Sequence, residues 1–266
     1  MSITPNSNTG IVIPQVSAAR RNKMFEVAER AQVRDELIAA ARRDAGIVGA
    51  ALVGSAARGV EDRWSDIDLV LQLAEDADEA SVVARWTRSL NDKFGVADTL
   101  DVISREGVRY RVFLLDSSLQ VDLSFWPRDL FRATEDGFRL VFGRANEPTS
   151  PPEPGSAQVI GMAWLYAVHA RSAIARGRTW QAVMMLDELR DQIITLLCLW
   201  HGLNPWHGRE VDRLPRQALE ALSEGRASSV SLTELERSRQ ILLRHYLTVV
   251  DHHDAERAAA LRRALG

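Results

Sequence analysis

The sequence contains very little cysteine and no long apolar run. Cys198 is its single cysteine, so an internal disulfide is excluded, and the apolar residues around it indicate a position in a helix core. The chain shows neither the uninterrupted apolar stretch of about 18 residues that a membrane-spanning helix needs nor a basic segment followed by an apolar one at its N-terminus. We therefore expect neither secretion nor membrane insertion, and we expect a cytoplasmic location.

A large excess of charge of one sign is also lacking. The 33 Lys and Arg residues and the 36 Asp and Glu residues leave a formal net charge of −3. No stripe rich in Lys and Arg is present, which disfavours nucleic acid as a partner. Apolar residues make up 46% of the chain and charged residues 26%, close to the average of globular proteins, so wholesale disorder is excluded as well.

The length and the proline distribution predict two domains. At 266 residues the chain has enough material for two domains of ordinary size. Residues 1–20, rich in Ser, Thr, Asn and Pro, predict a flexible arm. Four of the nine prolines fall within EPTSPPEPG, which predicts a linker over residues 148–155. The predicted domains are therefore residues 21–147 and 156–266.

The first domain mixes helical and extended patterns. Residues 22–44 and 76–94 carry apolar side chains at helical spacing, and a short helix is expected at residues 127–132. The turn composition Asp116-Ser117-Ser118 joins two extended runs into a hairpin. The predicted strands are residues 47–53, 67–73, 98–104, 108–115, 119–126 and 138–142. The apolar character of the first two strands predicts a covered sheet.

The second domain shows no convincing strand pattern. Helical periodicity covers residues 156–175, 180–201, 215–222, 231–250 and 254–265. The predicted fold class is α+β, with a mixed twisted sheet and flanking helices followed by a C-terminal α-helical bundle. Trp164, Trp180, Trp200 and Trp206 fall in the bundle, where we expect most of them in the core and some lining an acceptor pocket between the domains.

The most informative stretch is residues 52–73, where a buried strand, a Gly54-Ser55 turn and a charged insert lead to a second apolar strand. Asp66 and Asp68 open that strand one residue apart, so their side chains point to the same face. Two such carboxylates repel each other beside an apolar run unless a cation lies between them. The spacing therefore predicts a divalent metal site. The Gly-Ser turn allows a close approach of backbone N–H groups to phosphate.

Asp122 is the expected third carboxylate of this site. It is a lone acid in the strand pattern LQVDLSF, where a charge is disfavoured without a partner. Two metal ions held by three carboxylates would bind phosphate oxygens and lower the pKa of an attacking hydroxyl, which is chemistry suited to phosphoryl or nucleotidyl transfer. Arg58 and Arg63, in the insert, are candidates for a basic side chain near the phosphates.

The same residues carry a family resemblance. Gly54-Ser55, ten intervening residues, Ser65 and then Asp66-Ile67-Asp68 resemble the signature of the DNA polymerase β-like nucleotidyltransferase superfamily. A small catalytic domain followed by helices is most similar to the aminoglycoside and lincosamide nucleotidyltransferases, which confer antibiotic resistance. The resemblance implies that Asp66, Asp68 and Asp122 hold Mg²⁺ and that Gly54 and Ser55 contact the triphosphate of ATP.

The resemblance further implies an enzyme that moves a nucleoside monophosphate, AMP from ATP, to a hydroxyl of a small antibiotic-like acceptor. Some relatives use a further carboxylate as general base, for which Glu188 and Asp101 are the candidates here. The alternatives are a protein-directed, antitoxin-like AMP transferase and a catalytically silent nucleotide-binding relative. RNA tailing is the least favoured, and the chain is expected to be a monomer or a homodimer.

Overall fold

The computed structural model describes residues 25–134, 137–149 and 155–265. The chain divides into two compact units, Met1–Pro151 and Pro152–Gly266. The predicted arm over residues 1–20 lies outside the described residues, as do residues 150–154 of the predicted linker. Within the described part of the chain, no helix is long and apolar enough to cross a bilayer.

A mixed six-stranded sheet forms the centre of the first unit. Its strands are β1 (Ile47–Leu52), β2 (Ile67–Leu73), β3 (Val96–Ile103), β4 (Arg109–Leu115), β5 (Gln120–Trp126) and β6 (Arg139–Phe142). They lie in the order β3-β4-β5-β2-β1-β6. The pair β2–β5 is parallel, and the other neighbours are antiparallel. The predicted α+β fold with a mixed sheet is confirmed.

Two helices cover one face of this sheet. They are α1 (Val27–Arg43) and α3 (Glu79–Phe94), and the short helix α2 (Gly54–Arg58) follows β1. Leu37 and Trp86 project from the two long helices onto the alternate residues of β2 that face them, such as Leu69 and Leu71, all of them buried. The helical spacing of apolar residues and the period of 2 in the strands thus produce one shared core.

The structure corrects three expectations in this unit. Residues 127–132 form a turn rather than a helix, with Leu130 and Phe131 donating from their backbone N–H groups to the carbonyl of Pro127. The Gly-Ser turn is the start of α2. The covered character holds for β1 and β2, but β3 is exposed along nearly its whole length because it is an edge strand.

The second unit is helical, as predicted. Its helices are α4 (Ser156–Ala175), α5 (Thr179–Trp200), α6 (Arg216–Glu224), α7 (Leu232–His253) and α8 (Ala255–Leu265). The buried face of α4 is rich in alanine, including Ala163, Ala167 and Ala170, so α5 and α7 approach it closely. Cys198 lies in this core, as the sequence predicts.

The expected core positions of the tryptophans in the helical unit are wrong. Trp164 is 38% exposed, Trp180 70%, Trp200 44% and Trp206 58%. The reason is steric, because the core is filled by alanine, leucine and the buried Tyr246, and closely packed helices leave no space for an indole ring. These tryptophans therefore belong to the surface of the unit.

Candidate active site

The parallel pairing of β2 and β5 brings two of the predicted carboxylates side by side. Asp68 is the register partner of Asp122, and the neighbouring residues Ile67 and Val121 pair directly before them. Because facing residues of adjacent strands point to the same side of a sheet, both carboxylates lie on the face opposite α1 and α3. The hairpin of β4 and β5 places Asp122 there although it is far from Asp68 in sequence.

Asp66 completes a cluster of three carboxylates. One oxygen each of Asp66, Asp68 and Asp122 can be chosen so that all three lie within 4.8 Å of one another, and all three residues are half-buried. Asp66 directly precedes β2, so the alternation of strand side chains directs it to the same side as Asp68. The structure thus assembles the three predicted metal ligands.

Gly54 makes room for this cluster. Its φ of +63° is in the left-handed region, and a Cβ atom added there would lie 2.3 Å from Oδ2 of Asp68. Both facts require glycine at this position. Ser55 follows it in the first turn of α2, so the predicted Gly-Ser element borders the carboxylates.

Burial and electrostatic repulsion both act on Asp122. Burial raises the pKa of Asp122, Asp66 raises it further, and a hydrogen bond from Gln120 lowers it. Nε2 of Gln120 donates to Oδ1 of Asp122 at 3.0 Å and to Oδ2 of Asp66 at 3.4 Å. The sequence analysis assigns no role to Gln120. Its position two residues before Asp122, on the same face of the strand, could have indicated a contact with that carboxylate.

The donor set fits a divalent cation. Hard cations such as Mg²⁺ prefer carboxylate oxygens, and no described Lys or Arg forms an ion pair with Asp66 or Asp122. The neutral amide of Gln120 is the hydrogen-bond donor that joins these two side chains. A cation would therefore supply a positive charge that no described Lys or Arg supplies to Asp66 or Asp122 through an ion pair.

The two predicted phosphate-binding arginines are both exposed. Arg58 is the last residue of α2, and the guanidinium of Arg63 lies 4.5 Å above the ring centre of Trp64. A third arginine, Arg139 on β6, donates from Nη2 to the carbonyl of Ala56 at 3.2 Å and so fixes α2 to the sheet edge. This contact could not be predicted from the sequence, because it depends on the pairing of β6 with β1.

The two candidate general bases have different surroundings. Asp101, on β3, is engaged by Arg109 and Arg111, with Arg111 Nη2 at 2.6 Å, and the hydrogen bond from Arg111 is the main cause of the lowered pKa of Asp101. Arg109 and Arg111 thus engage both carboxylate oxygens of Asp101.

Glu188 is exposed on α5 in the second unit. After burial, Glu188 is the next cause of the raised pKa of the Tyr166 phenol. Asp187 and Asp191 flank it, and burial followed by Glu188 raises the pKa of Asp191. Glu188 is therefore part of an acidic surface, which we call the α5 acidic face (Asp187, Glu188 and Asp191).

A mixed sheet that gathers three carboxylates beside a glycine-led turn defines an α+β unit suited to phosphate chemistry. Residues 34–139 match the family model described as the nucleotidyltransferase domain. The chain therefore contains a nucleotidyltransferase domain over these residues, in agreement with the predicted resemblance to the DNA polymerase β-like nucleotidyltransferase superfamily and with the predicted class of enzyme.

Three solved structures are similar over most of the chain. An aminoglycoside 6-adenyltransferase from Bacillus subtilis matches with 14% identity and a TM-score of 0.35, covering 89% of this chain and 90% of that chain. A GLD-2/RNP-8 complex matches with 13% identity and a TM-score of 0.28, covering 83% and 76%. The polymerase core of TRAMP, an RNA surveillance complex, matches with 15% identity and a TM-score of 0.29, covering 85% and 60%.

A search of curated protein sequences gives no match.

Proposed function

We propose that the protein transfers a nucleoside monophosphate, AMP from ATP, to a hydroxyl group of a small antibiotic-like acceptor, with Mg²⁺ as the cofactor. The observation that carries the proposal is the register pairing of Asp68 with Asp122, which brings both into one cluster with Asp66. Such a cluster beside Gly54 and Ser55 at the start of α2 supports a reaction at a phosphate group.

The side chains have separate roles in this proposal. Asp66, Asp68 and Asp122 would hold Mg²⁺, which when bound neutralises charge on phosphate oxygens and lowers the pKa of an attacking hydroxyl. The backbone N–H groups at Gly54 and Ser55 approach the triphosphate, because position 54 has no side chain to prevent it. Arg58 and Arg63 are the candidate cations for the outer phosphates.

The proposed reaction is an in-line displacement. The acceptor hydroxyl oxygen forms a bond to the α-phosphorus of ATP, the bond between that phosphorus and the bridging oxygen breaks, and pyrophosphate leaves. The hydroxyl proton passes to a carboxylate base, for which Glu188 is the candidate. The products are the adenylylated acceptor and pyrophosphate.

The α5 acidic face supports an acceptor that carries positive charge. Asp187, Glu188 and Asp191 place three carboxylates on this helix, and Arg190 pairs with one of them, Asp187, at 2.6 Å, so the surface carries a net negative charge. Trp180 and Met184 precede Glu188 at intervals of four residues on the same side of α5, and they are 70% and 63% exposed. An amine-bearing compound with an apolar ring system matches this combination.

Radiolabel transfer from ATP labelled at the α-phosphate tests the proposal. The purified protein is incubated with Mg²⁺ and four acceptor classes: cationic amino sugars, neutral hydroxyl compounds, RNA and a protein extract. Label on a small hydroxyl compound is the expected result. Label on protein or RNA alone would replace the proposal with one of the alternatives, and nucleotide binding without transfer to any class would favour a silent relative.

A further inference from the structure

A buried arginine on α1 holds the loop that leads into the carboxylate cluster. Nη1 of Arg30 donates to the carbonyl of Asp62 and to the carbonyl of Ser65, the latter at 3.0 Å. Ser65 is the residue directly before Asp66. One guanidinium therefore binds the backbone of the loop at two points, the second adjacent to a proposed metal ligand.

The burial of this arginine makes the contact costly to lose. Arg30 is 3% exposed, and its Nε lies 3.4 Å from Oε1 of Glu61, an ion pair that balances the buried charge. A buried guanidinium without partners is strongly unfavourable. The loop carbonyls and Glu61 therefore stabilise the buried guanidinium, and the guanidinium in turn holds the loop in place. The contact does not depend on solvent-exposed side chains.

The loop is also ordered from within. Oδ1 of Asp62 accepts from the backbone N–H of Trp64 at 2.8 Å and from the hydroxyl of Ser65 at 3.1 Å. The Ser65 hydroxyl oxygen accepts in turn from the backbone N–H of Asp62 at 2.9 Å. The loop is thus a compact unit, and its position relative to the sheet is fixed by Arg30 from one side and by β2 from the other.

We infer that Arg30 is a positioning residue for the metal ligands, holding Asp66 at the distance from Asp68 and Asp122 that a divalent cation requires. The inference rests on the proposed function, because it takes the three carboxylates as metal ligands. Arg30 touches neither metal nor substrate and acts through the backbone of residues 62–65. Side chains that orient metal ligands in this indirect way typically change metal affinity by about 10- to 100-fold when removed.

Arg34 provides a matched control on the same helix. Its Nη1 lies 2.9 and 2.7 Å from the two carboxylate oxygens of Glu61, so it shares the ion-pair partner of Arg30. Its side-chain hydrogen bonds reach Glu61 and no loop carbonyl. Replacing Arg34 therefore disturbs the charge cluster while leaving the two backbone contacts of Arg30 in place.

The test is titration calorimetry with Mn²⁺ alone on the full-length protein, together with hydrogen exchange of the backbone amides of residues 59–66. Arg30→Met should weaken Mn²⁺ binding by about tenfold or more and accelerate exchange in the loop. Arg30→Lys keeps the charge, but its ammonium is one bond short of the Nη1 that donates to both carbonyls, so it should lie between wild type and Arg30→Met. Arg34→Met should change Mn²⁺ affinity by less than about twofold, since no ligand-bearing segment loses a contact.

Two results would overturn the inference. One is wild-type Mn²⁺ affinity in a folded Arg30→Met protein, with folding checked by circular dichroism. The other, if Arg30→Met does not fold, is unchanged affinity and unchanged loop exchange in Arg30→Lys. Absence of Mn²⁺ binding in the wild type would instead count against the proposed function, and the loop exchange would still report on Arg30 separately.

Discussion

At the scale of single residues, Gly54 is the position where the backbone and the site constrain each other most tightly. Gly54→Ala adds a Cβ that would lie 2.3 Å from Oδ2 of Asp68 and keeps a left-handed φ of +63°. The strain alone costs about 1–2 kcal/mol. Displacement of Asp68 should lower nucleotidyl transfer by about 100-fold, measured as initial rate under saturating substrates.

The control for this change is Gly59→Ala. Gly59 has a φ of +70° and nothing within 4 Å of an added Cβ, so it shares the backbone strain without the collision. We expect a similar loss of stability and a nearly unchanged rate. Equal loss of rate in both variants would mean that strain, and not the space beside Asp68, accounts for the effect.

Asp122 gives a prediction about pH and stability. Its pKa is raised in the folded protein, chiefly by burial and also by Asp66. An acid with a raised folded pKa favours folding at low pH, and this contribution is lost as the pH rises through the folded value. Above that value the ionised Asp122 destabilises the metal-free protein.

Asp122→Asn should therefore raise the Tm of the metal-free protein at pH 7, and the difference should disappear as the pH falls below the ordinary aspartate pKa of about 3.9. Mg²⁺ should raise the Tm of the wild type and leave that of the variant unchanged. Thermal unfolding over a pH series measures both effects. Asp212→Asn, at an exposed position, is the control, and an equal rise in its Tm would contradict the explanation.

At the scale of elements, the positions of the strands could be predicted from the sequence, but not which strands lie next to each other in the sheet. The alternation around Asp122 predicted both the strand and its lone acid, and Asp116-Ser117-Ser118 predicted the hairpin that β4 and β5 form. The pairing of β6 with β1 was not predictable, because it joins segments far apart in sequence without a local signal. For the same reason, the contact of Arg139 with α2 appears only in the folded chain.

For the helices, the sequence pattern predicts their position but not which of their large side chains are buried. Periodicity predicted where α5 lies, but it did not predict that Trp180 and Trp200 would be exposed. Residue type favours burial of tryptophan, whereas the available volume between closely packed helices decides it. The same applies to Arg30, whose burial depends on two carbonyls and a carboxylate from the loop after α2.

Within the helical unit, loss of one hydrogen bond between two helices should lower stability measurably. The hydroxyl of the buried Tyr246 on α7 donates to the carbonyl of Ile160 on α4 at 2.8 Å. Tyr246→Phe removes this bond and should lower the free energy of unfolding by about 1 kcal/mol, measured by urea titration. Tyr166→Phe, at a half-buried position, should cost less, and the reverse order would contradict the packing described here.

At the scale of the whole molecule, the net charge of −3 conceals an uneven distribution. The α5 acidic face places three carboxylates within two turns of one helix. If the acceptor is cationic, Glu188→Gln should raise its KM by about tenfold, because a charged hydrogen-bond partner contributes about 1.5 kcal/mol. Loss of the proposed base should in addition lower kcat for every acceptor. The KM of a neutral acceptor and the effect of Glu256→Gln, exposed on α8, should stay near wild type.

The central claim is that the three carboxylates serve metal-dependent nucleotidyl transfer. Its most direct test is Mg²⁺-dependent pyrophosphate release from ATP in the presence of the acceptor panel, measured for the wild type and for the Asp66→Asn, Asp68→Asn double variant. We expect release by the wild type that chelation of Mg²⁺ abolishes, and none above background from the double variant. Equal release by a folded double variant would contradict the claim.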